Sequence, residues 1–186
     1  MIRLIIHSNR LYKVCIVGDG GVGKTTILHR YIDDKFLENT KMTIGTDFFI
    51  KNIELPEENA SVKLQIWDLG GQDQFKLIRR SFYLGAKGIV YVFDLTNRFS
   101  FNNCVKWKNE IEEVIGKKPS ILIANKLDLV NKNSNRPIPK KEGNNLKEDL
   151  GSDEYIETSA KEDIMINEAF RELAKIMHRN IVSKIR

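Results

Sequence analysis

Eight residues between an apolar run and a helix-length amphipathic segment constrain this chain more than any other part of its sequence. They read Gly18-Asp19-Gly20-Gly21-Val22-Gly23-Lys24-Thr25 and satisfy the phosphate-binding loop pattern. Glycines let the backbone wrap tightly so that several N–H groups point inward, and the following helix adds the positive end of its dipole. The loop predicts a bound polyphosphate, with Lys24 at the β- and γ-phosphates and the Thr25 hydroxyl on a magnesium ion. This strand–loop–helix context disfavours the alternative, a Gly-rich turn without a ligand.

The rest of the chain alternates short apolar runs with helix-length segments, which is typical of βαβ units and a largely parallel sheet. Three apolar runs are nearly continuous, as expected of strands that helices cover on both faces. Two others alternate apolar and polar residues around the polar turn Pro56–Asn59, which predicts an antiparallel hairpin at the sheet edge. The predicted strands are Leu11–Val17, Phe48–Leu55, Ser61–Trp67, Gly88–Asp94, Ser120–Ala124 and Glu154–Thr158.

Amphipathic segments follow most of these strands, so the predicted fold class is α/β. It comprises a six-stranded, mostly parallel sheet with one antiparallel edge strand and about five helices on both faces. In the last helix, apolar residues from Ile164 to Ile176 follow one face. The Asn-, Lys- and Pro-rich stretch 131–139 predicts an exposed, mobile loop. The predicted helices are Lys24–Asp33, Gln74–Leu84, Ser100–Ile115, Lys140–Asp149 and Ile164–Ile181.

The composition fits one globular domain, because 186 residues with 41% hydrophobic content can form a core. We predict an N-terminal extension over residues 1–10, the domain itself over 11–181 and a short basic tail over 182–186. The net charge of +5 comes from scattered Lys and Arg residues, which argues against a nucleic-acid partner. Cys15 and Cys104 lack metal-ligand spacing, and no stretch could span a bilayer, so we expect a cytoplasmic protein.

Two further turns predict which base accompanies the polyphosphate. Asn125-Lys126-Leu127-Asp128 follows a buried strand, where the Asp carboxylate can accept two N–H bonds from guanine that adenine cannot offer. Thr158-Ser159-Ala160-Lys161 follows the last strand and looks like a loop whose Ala160 N–H caps the guanine carbonyl. Each tetrapeptide alone would fit a solvated loop. The combination with the phosphate loop predicts a guanine site and disfavours a P-loop kinase or ATPase.

Together these segments resemble the Ras superfamily of small GTPases. The phosphate loop, Asp68-Leu69-Gly70-Gly71-Gln72, Asn125–Asp128 and Ser159–Lys161 occur in the order and approximate spacing of that superfamily. The resemblance covers about residues 11–180 and implies the P-loop NTPase fold of small G proteins. Four segments resemble those that set Rab proteins apart within the superfamily: Ile44–Phe48, Lys63–Trp67, Phe82–Ala86 and Tyr91–Thr96.

The chain departs from the Rab pattern in two places. Rab proteins usually carry Thr-Ala where this chain has Leu69-Gly70, and its Asp-Leu-Gly-Gly-Gln segment is similar to the Arf family instead. The sequence ends Ser183-Lys184-Ile185-Arg186 and offers no cysteine there for prenylation. The route to a membrane is left open: a trimmed tail, a role in solution, or peripheral docking through the basic end helix or the apolar Met1–Ile6.

The resemblance implies catalytic roles for matching residues. Thr43 would bind magnesium through its hydroxyl and sense the γ-phosphate through its N–H, while Asp68 would hold the metal, usually through water. The Gly71 N–H would bond the γ-phosphate, and Gln72 would orient the attacking water. Lys24 completes the implied catalytic set. The implied metal ligands are Thr25, Thr43 and Asp68.

Aromatic residues also have roles implied by the resemblance. Phe36 would pack against the guanine, with the Lys126 stem on its other side. Phe48, Trp67 and Tyr83 correspond to an aromatic cluster on Rab effector surfaces, although core packing would explain them equally well. The implied nucleotide-binding residues are Gly18, Asp19, Gly20, Gly21, Val22, Gly23, Lys24, Thr25, Thr26, Phe36, Thr43, Gly71, Asn125, Lys126, Asp128, Ser159, Ala160 and Lys161.

These roles imply a switch that binds GTP or GDP with Mg²⁺ and hydrolyses GTP. The segment before Thr43, Thr40-Lys41-Met42, contains no arginine, so we expect unaided hydrolysis to be slow, about 10⁻⁴ to 10⁻³ s⁻¹. An activating protein, an exchange factor and effectors would bind through the switch regions 36–48 and 68–84, and a monomer is expected. The alternative is a nucleotide-binding scaffold or interaction module with negligible hydrolysis.

Overall fold

The computed structural model describes residues 10–37, 43–130 and 136–184, except for the side chain of Asp73. Its strands are β1 (Arg10–Val17), β2 (Thr46–Leu55), β3 (Ala60–Leu69), β4 (Gly88–Asp94), β5 (Ser120–Asn125) and β6 (Glu154–Glu157). They form one six-stranded sheet in the order β2-β3-β1-β4-β5-β6. Only β2 and β3 pair antiparallel, whereas the other neighbours are parallel. The predicted sheet, with its antiparallel edge strand, is confirmed.

Helices cover both faces of this sheet, as predicted. The α-helices are α1 (Lys24–Asp33), α2 (Lys76–Tyr83), α3 (Arg98–Ile115), α4 (Leu127–Val130), α5 (Lys140–Leu150) and α6 (Ile166–Ser183). Short 3-10 helices occupy Pro56–Glu58, within the predicted hairpin turn, and Asp73–Phe75, just before α2. The four-residue α4 was not predicted, because one helical turn carries no readable periodicity.

Alternate residues of the central strands point to opposite faces, which explains their continuous apolar character. Val14 and Ile16 of β1 are fully buried and pack in one cluster with residues of α1 and α6. Cys15 and Val17 belong to a second cluster that includes residues of α2, α3 and α5. Full burial of each such side chain contributes about 1.5–3 kcal/mol, so the two clusters hold the helices against the sheet.

The ends of several elements differ from the prediction. Pairing in the hairpin continues to Thr46 opposite Leu69, so both strands extend toward the end of the sheet that carries Asp68. The last helix begins at Ile166, because Ile164 forms a two-way backbone bridge with Ser159 at 2.9 and 3.2 Å. It continues to Ser183, two residues beyond the predicted end.

The exposed loop predicted for 131–139 is wrong at Ile138, whereas Pro137 and Pro139 are exposed as predicted. Residues 131–135 lie outside the described part of the chain. Ile138, however, is fully buried in the cluster shared with α5. Arg136 donates to the Ile138 carbonyl at 2.6 Å and forms an ion pair with Glu157. The Pro- and Asn-rich composition gave no sign of this buried apolar residue, which holds the segment before α5 in place.

The termini are only partly covered by the structure. Of the predicted extension 1–10, only Arg10 is described, and it is the first residue of β1. The division into extension, domain and tail stays a prediction. Among the described residues, no helix is both long and apolar enough to cross a membrane.

Gly143 tests whether packing or helix propensity dominates in α5. A Cβ atom there would lie 2.2 Å from Cζ and 2.4 Å from Oη of Tyr155. Alanine is favoured over glycine in a helix by about 1 kcal/mol, but overpacking costs about 1–3 kcal/mol. We expect Gly143→Ala to lower the free energy of unfolding, measured by urea titration at a fixed nucleotide concentration. Asn145→Ala, exposed on the same helix, is the control, and equal stabilisation by both changes would contradict the packing argument.

Candidate nucleotide-binding site

A cavity of about 360 Å³ lies where the carboxyl ends of the parallel strands meet their loops. Most of the predicted nucleotide-binding residues surround it, together with Leu37 and Leu129, which the sequence did not suggest. The predicted residues that line it are Gly20, Gly21, Gly23, Lys24, Thr25, Thr26, Phe36, Thr43, Gly71, Gln72, Asn125, Lys126, Asp128, Ala160 and Lys161.

The phosphate loop between β1 and α1 has no room for side chains at two positions. Gly18 has φ 147°, and a Cβ there would lie 2.2 Å from the Val92 carbonyl oxygen of β4. Gly23 has φ 94°, and its Cβ would lie 2.5 Å from Nδ2 of Asn125. Both φ values are in the region that glycine tolerates best. The loop therefore fits closely between the end of β4 and the turn after β5.

Lys24 places a buried ammonium group at the cavity. It is 6% exposed, and its Nζ donates to the carbonyl oxygens of Gly18 at 2.7 Å and Asp19 at 3.0 Å. Burial lowers the pKa of Lys24 to about 8, because the raising effect of Asp68 and Asp19 compensates only in part. A polyphosphate beside this group would favour its charged form.

Three oxygen-bearing side chains converge beside Lys24. Thr25 Oγ1 donates to Asp68 Oδ2 at 2.5 Å, and Thr43 Oγ1 lies 3.2 Å from the same oxygen and 2.9 Å from Thr25 Oγ1. Burial raises the pKa of the fully buried Asp68 carboxyl group, while the Thr25 hydrogen bond and Lys24 oppose the shift. The other carboxylate oxygen, Oδ1, is buried without a hydrogen-bond partner. Hard oxygen donors and an unpaired buried carboxylate oxygen fit a magnesium ion.

Gly70 and Gly71, in the second switch segment (residues 68–84), pack closely against the backbone of other segments. A Cβ on Gly71 would lie 2.5 Å from the Gly20 nitrogen, and one on Gly70 would lie 2.8 Å from the Thr43 carbonyl oxygen. The Gly70 N–H also donates to the Gly45 carbonyl at 3.0 Å. Gln72 reaches the cavity, and its Oε1 is buried and accepts no hydrogen bond from the described residues.

At the other end of the cavity, the Asp128 carboxylate is positioned to accept hydrogen bonds from a ligand. It is 7% exposed, and its Oδ1 accepts the Ser159 hydroxyl at 2.7 Å. Among the described residues, its Oδ2 has no donor. The Ala160 N–H donates to Asn125 Oδ1 at 3.3 Å, a long bond with which a base carbonyl could compete. The Asn125 side chain connects the turn after β5 to the phosphate loop, because its Nδ2 donates to the Val22 carbonyl at 3.0 Å.

Four predicted nucleotide-binding residues do not line the cavity. Gly18 packs against the Val92 carbonyl of β4, and the Val22 side chain belongs to the core. Ser159 supports Asp128 instead. The Asp19 carboxylate points to α3, where it accepts Asn103 Nδ2 at 2.7 Å and Trp107 Nε1 at 2.8 Å. The side chains of Asp19, Val22 and Ser159 stabilise the loops, so any contact of these four residues with a nucleotide would involve their backbone.

Asp94, at the end of β4, supports the site and was not predicted as part of it. Its Oδ2 pairs with Lys126 Nζ at 2.7 Å, and the same ammonium donates to the Gly21 carbonyl at 2.9 Å. Lys126 has a φ of 67°, an uncommon conformation for a residue other than glycine. Because Asp94 ends a buried strand next to the phosphate loop, its place in the sheet could have suggested this role.

Known proteins match nearly the whole chain. The model of the Ras family matches residues 13–179. The chain belongs to the Ras family. Ras-related protein Rab-8 of Diplobatis ommata is 40% identical over 94% of this chain and 79% of that protein. Ras-related protein Rab-10 of Caenorhabditis elegans is 41% identical over 89% and 80%, and Ras-related protein RIC1 of Oryza sativa subsp. japonica is 38% identical over 94% and 84%.

These matches show a Rab-like small GTPase of the Ras superfamily, as the sequence motifs predicted. Family membership implies guanine nucleotide binding and GTPase activity in general. The described residues contain no cluster of three or more His, Cys, Asp or Glu side chains that could hold a metal ion. The oxygen set of Thr25, Thr43 and Asp68 differs from such a cluster, because hydroxyl groups supply most of its donors.

Gly70→Ala tests the backbone contact between the two switches of this GTPase. The added Cβ would press on the Thr43 carbonyl, and overpacking of this kind costs about 1–3 kcal/mol. We expect the affinity for a non-hydrolysable GTP analogue to fall by roughly 10-fold. The GDP affinity of the same variant is the internal control, and we expect it to change less. Equal affinity ratios in the variant and the wild type would contradict a role of this contact in the GTP-bound state.

Proposed function

We propose that this Rab-like GTPase is a molecular switch that binds GTP with magnesium, hydrolyses it slowly to GDP and binds effectors in the GTP-bound state. One observation carries the proposal: a buried cation, Lys24, and a buried carboxylate, Asp128, line the same cavity. A polyphosphate suits the first group, and the N–H edge of guanine suits the second. A guanine nucleotide is the ligand class that suits both ends.

At the phosphate end, the chain's own groups would neutralise charge and position the reactants. Lys24 and the phosphate-loop N–H groups would bind the phosphates, and the Gly71 N–H would reach the terminal one. The unpaired Oε1 of Gln72 would accept a hydrogen bond from the attacking water. Thr25, Thr43 and Asp68 would hold magnesium, which supplies further neutralisation of the phosphate charge.

We propose a slow intrinsic rate, on the order of 10⁻⁴ to 10⁻³ s⁻¹. Arg79 is the arginine nearest in sequence to Gln72, and it does not line the nucleotide cavity. The segment 38–42, which carries Lys41, lies outside the described residues. Gly20, where a side chain would meet nothing within 4 Å, leaves room for a group supplied by an activating protein.

Loss of the γ-phosphate would affect the surface through the β2–β3 hairpin. Thr43 precedes β2, and β3 leads into Gly70 and Gly71. On this hairpin the Phe48 ring stacks on the Trp67 ring, with the centroids 5.6 Å apart. The ring centroid of Phe82, on α2, lies 5.5 Å from that of Trp67. We call the side chains of Phe48, Trp67 and Phe82 the aromatic cluster. Exposed apolar residues nearby along the two switch segments include Ile44, Leu77 and Ile78. We propose these residues as the effector surface.

Tyr83 does not belong to this surface, and that part of the prediction is wrong. It is fully buried, and its hydroxyl donates to Glu110 Oε1 at 2.6 Å. Adjacent helical residues are rotated by about 100°, so Phe82 faces the hairpin while Tyr83 faces α3. Core packing, the alternative that the sequence left open, describes Tyr83 correctly.

Asp128→Asn tests base recognition. Each hydrogen bond to a charged group contributes about 1.5–3 kcal/mol, so losing two corresponds to roughly 10²- to 10⁴-fold weaker GTP binding. The new amide donor would meet a carbonyl of xanthine, so we expect a preference for xanthosine nucleotides in competition assays. Asp149→Asn, an exposed carboxylate on α5, is the control. Retained selectivity for GTP in Asp128→Asn would exclude this carboxylate as the base reader.

Gln72→Leu tests hydrolysis and separates the switch from the scaffold. We expect intact GTP binding and a roughly 10- to 100-fold lower rate of phosphate release in single-turnover assays, because the water loses its positioning group. Gln74→Leu, exposed and outside the cavity, is the control. An unchanged rate in Gln72→Leu would remove the proposed role of this residue. A wild-type protein that retains GTP without releasing phosphate would favour the scaffold.

A further inference from the structure

We infer that Arg79 is a positioning residue for GTP hydrolysis. Its guanidinium holds the second-switch backbone on both sides of Gly71 and fastens it to α3, which keeps Gln72 at the nucleotide cavity. This inference rests on the proposed function, because it concerns the rate of the same reaction.

Arg79 is almost completely saturated with hydrogen bonds inside the protein. It is 2% exposed, and its Nη1 donates to the carbonyl oxygens of Gly70 at 3.0 Å and Gln72 at 2.8 Å. Its Nε and Nη2 donate to the two carboxylate oxygens of Glu110 at 3.0 and 3.1 Å. Four of the five guanidinium N–H groups are therefore used. A lysine could not reproduce this planar, forked geometry.

Glu110 makes the attachment to α3 specific. Its side chain is 9% exposed, and its Oε1 also accepts the Tyr83 hydroxyl at 2.6 Å. The ion pair thus joins the loop that carries Gln72, the end of α2 and the middle of α3. Breaking a buried pair by removing one partner leaves the other charge uncompensated, so either change should loosen the same contact.

The same helix also holds the phosphate loop. The face of Trp107 lies 4.4 Å from Arg79 Cζ, and its Nε1 donates to Asp19 Oδ1 at 2.8 Å. Asn103 donates to the other Asp19 oxygen at 2.7 Å. Because α3 is a common support, the second switch and the phosphate loop keep a fixed relative position around the Gly71–Gly20 contact.

A second cavity explains why this support is needed. About 400 Å³ of space lies on the α3 side of the second switch, lined in part by Gly71, Gln72, Arg79, Trp107 and Glu110. Gly20, Gly71 and Gln72 line both cavities, so they lie at the border between the two spaces. Without the Arg79 hydrogen bonds, the backbone of Gly71 and Gln72 has room to move away from the nucleotide. Arg79 itself lines only the second cavity and acts through Gln72.

The test compares Arg79→Met with Arg80→Met in the full-length protein. Arg80 is the matched control, because it pairs with Glu113 at 3.0 Å on the surface and lines neither cavity. We expect Arg79→Met to hydrolyse GTP roughly 10- to 100-fold more slowly in single turnover, since small misplacements of a catalytic group have effects of this size. GDP dissociation should stay at the wild-type rate. A hydrolysis rate equal to that of Arg80→Met would overturn the inference.

Glu110→Gln keeps the test decisive if Arg79→Met fails to fold. It preserves size and one acceptor oxygen but removes the charge, so we expect a smaller loss of hydrolysis with unchanged GDP dissociation. An unaltered hydrolysis rate in Glu110→Gln would then overturn the inference.

Amide hydrogen exchange with a bound non-hydrolysable GTP analogue tests the positioning role of Arg79 independently of GTP hydrolysis. We expect faster exchange at residues 70–72 in Arg79→Met than in Arg80→Met. If the wild type releases no phosphate, the proposed hydrolysis fails, but faster exchange would still support the positioning role. Equal exchange in both variants would overturn it.

Discussion

One buried carboxamide, that of Asn125, joins three segments that are distant in the sequence. It is 2% exposed; its Nδ2 donates to the Val22 carbonyl, and its Oδ1 accepts the Thr158 hydroxyl at 3.2 Å and the Ala160 N–H at 3.3 Å. A buried polar group left unpaired costs about 1–3 kcal/mol, so these contacts strongly favour one arrangement. The phosphate loop and the base-binding turns are therefore fixed relative to each other by the protein, and the cavity between them has a defined length.

Within this frame, the electrostatics select the ligand. Lys24 and Asp68 are both buried, yet Lys24 donates to backbone carbonyls and Asp68 accepts from hydroxyl groups. Burial shifts both groups toward their neutral forms, lowering the pKa of Lys24 to about 8 and raising the pKa of Asp68. An anion beside Lys24 and a cation beside Asp68 would reverse both shifts. A polyphosphate with a bound magnesium ion carries these two charges at neighbouring positions, which is why the proposed ligand suits the site.

The sequence predicted the features that depend on local pattern. The phosphate loop, the continuous apolar strands and the guanine-type turns each have a short signature, and the sheet brings their ends together. Contacts between distant segments were not predicted. Asp19 was assigned to a nucleotide because it lies in the motif, but its partners, Asn103 and Trp107, lie more than eighty residues away and have no local signature. Ile138 was hidden among polar residues for the same reason, since only the tertiary structure shows the apolar cluster that it completes.

The unusual Leu69-Gly70 pair shows how one departure from the Rab pattern constrains both switches. Leu69 is fully buried in the cluster that includes residues of α3 and α5, and it pairs with Thr46 at the start of β2. Gly70 then has too little space for a side chain, because a Cβ there would lie 2.8 Å from the Thr43 carbonyl oxygen. At Gly70 the two switch segments therefore meet through backbone atoms, and they also meet through the first residue pairs of the β2–β3 ladder and the Thr43–Asp68 hydrogen bond. A displacement at Thr43 would have to move Gly70 or the hairpin, and the hairpin carries Phe48 and Trp67 of the aromatic cluster. Gly70 packs closely against the Thr43 carbonyl of the other switch segment. This close packing is the physical reason to expect that the nucleotide state and the exposed surface are coupled.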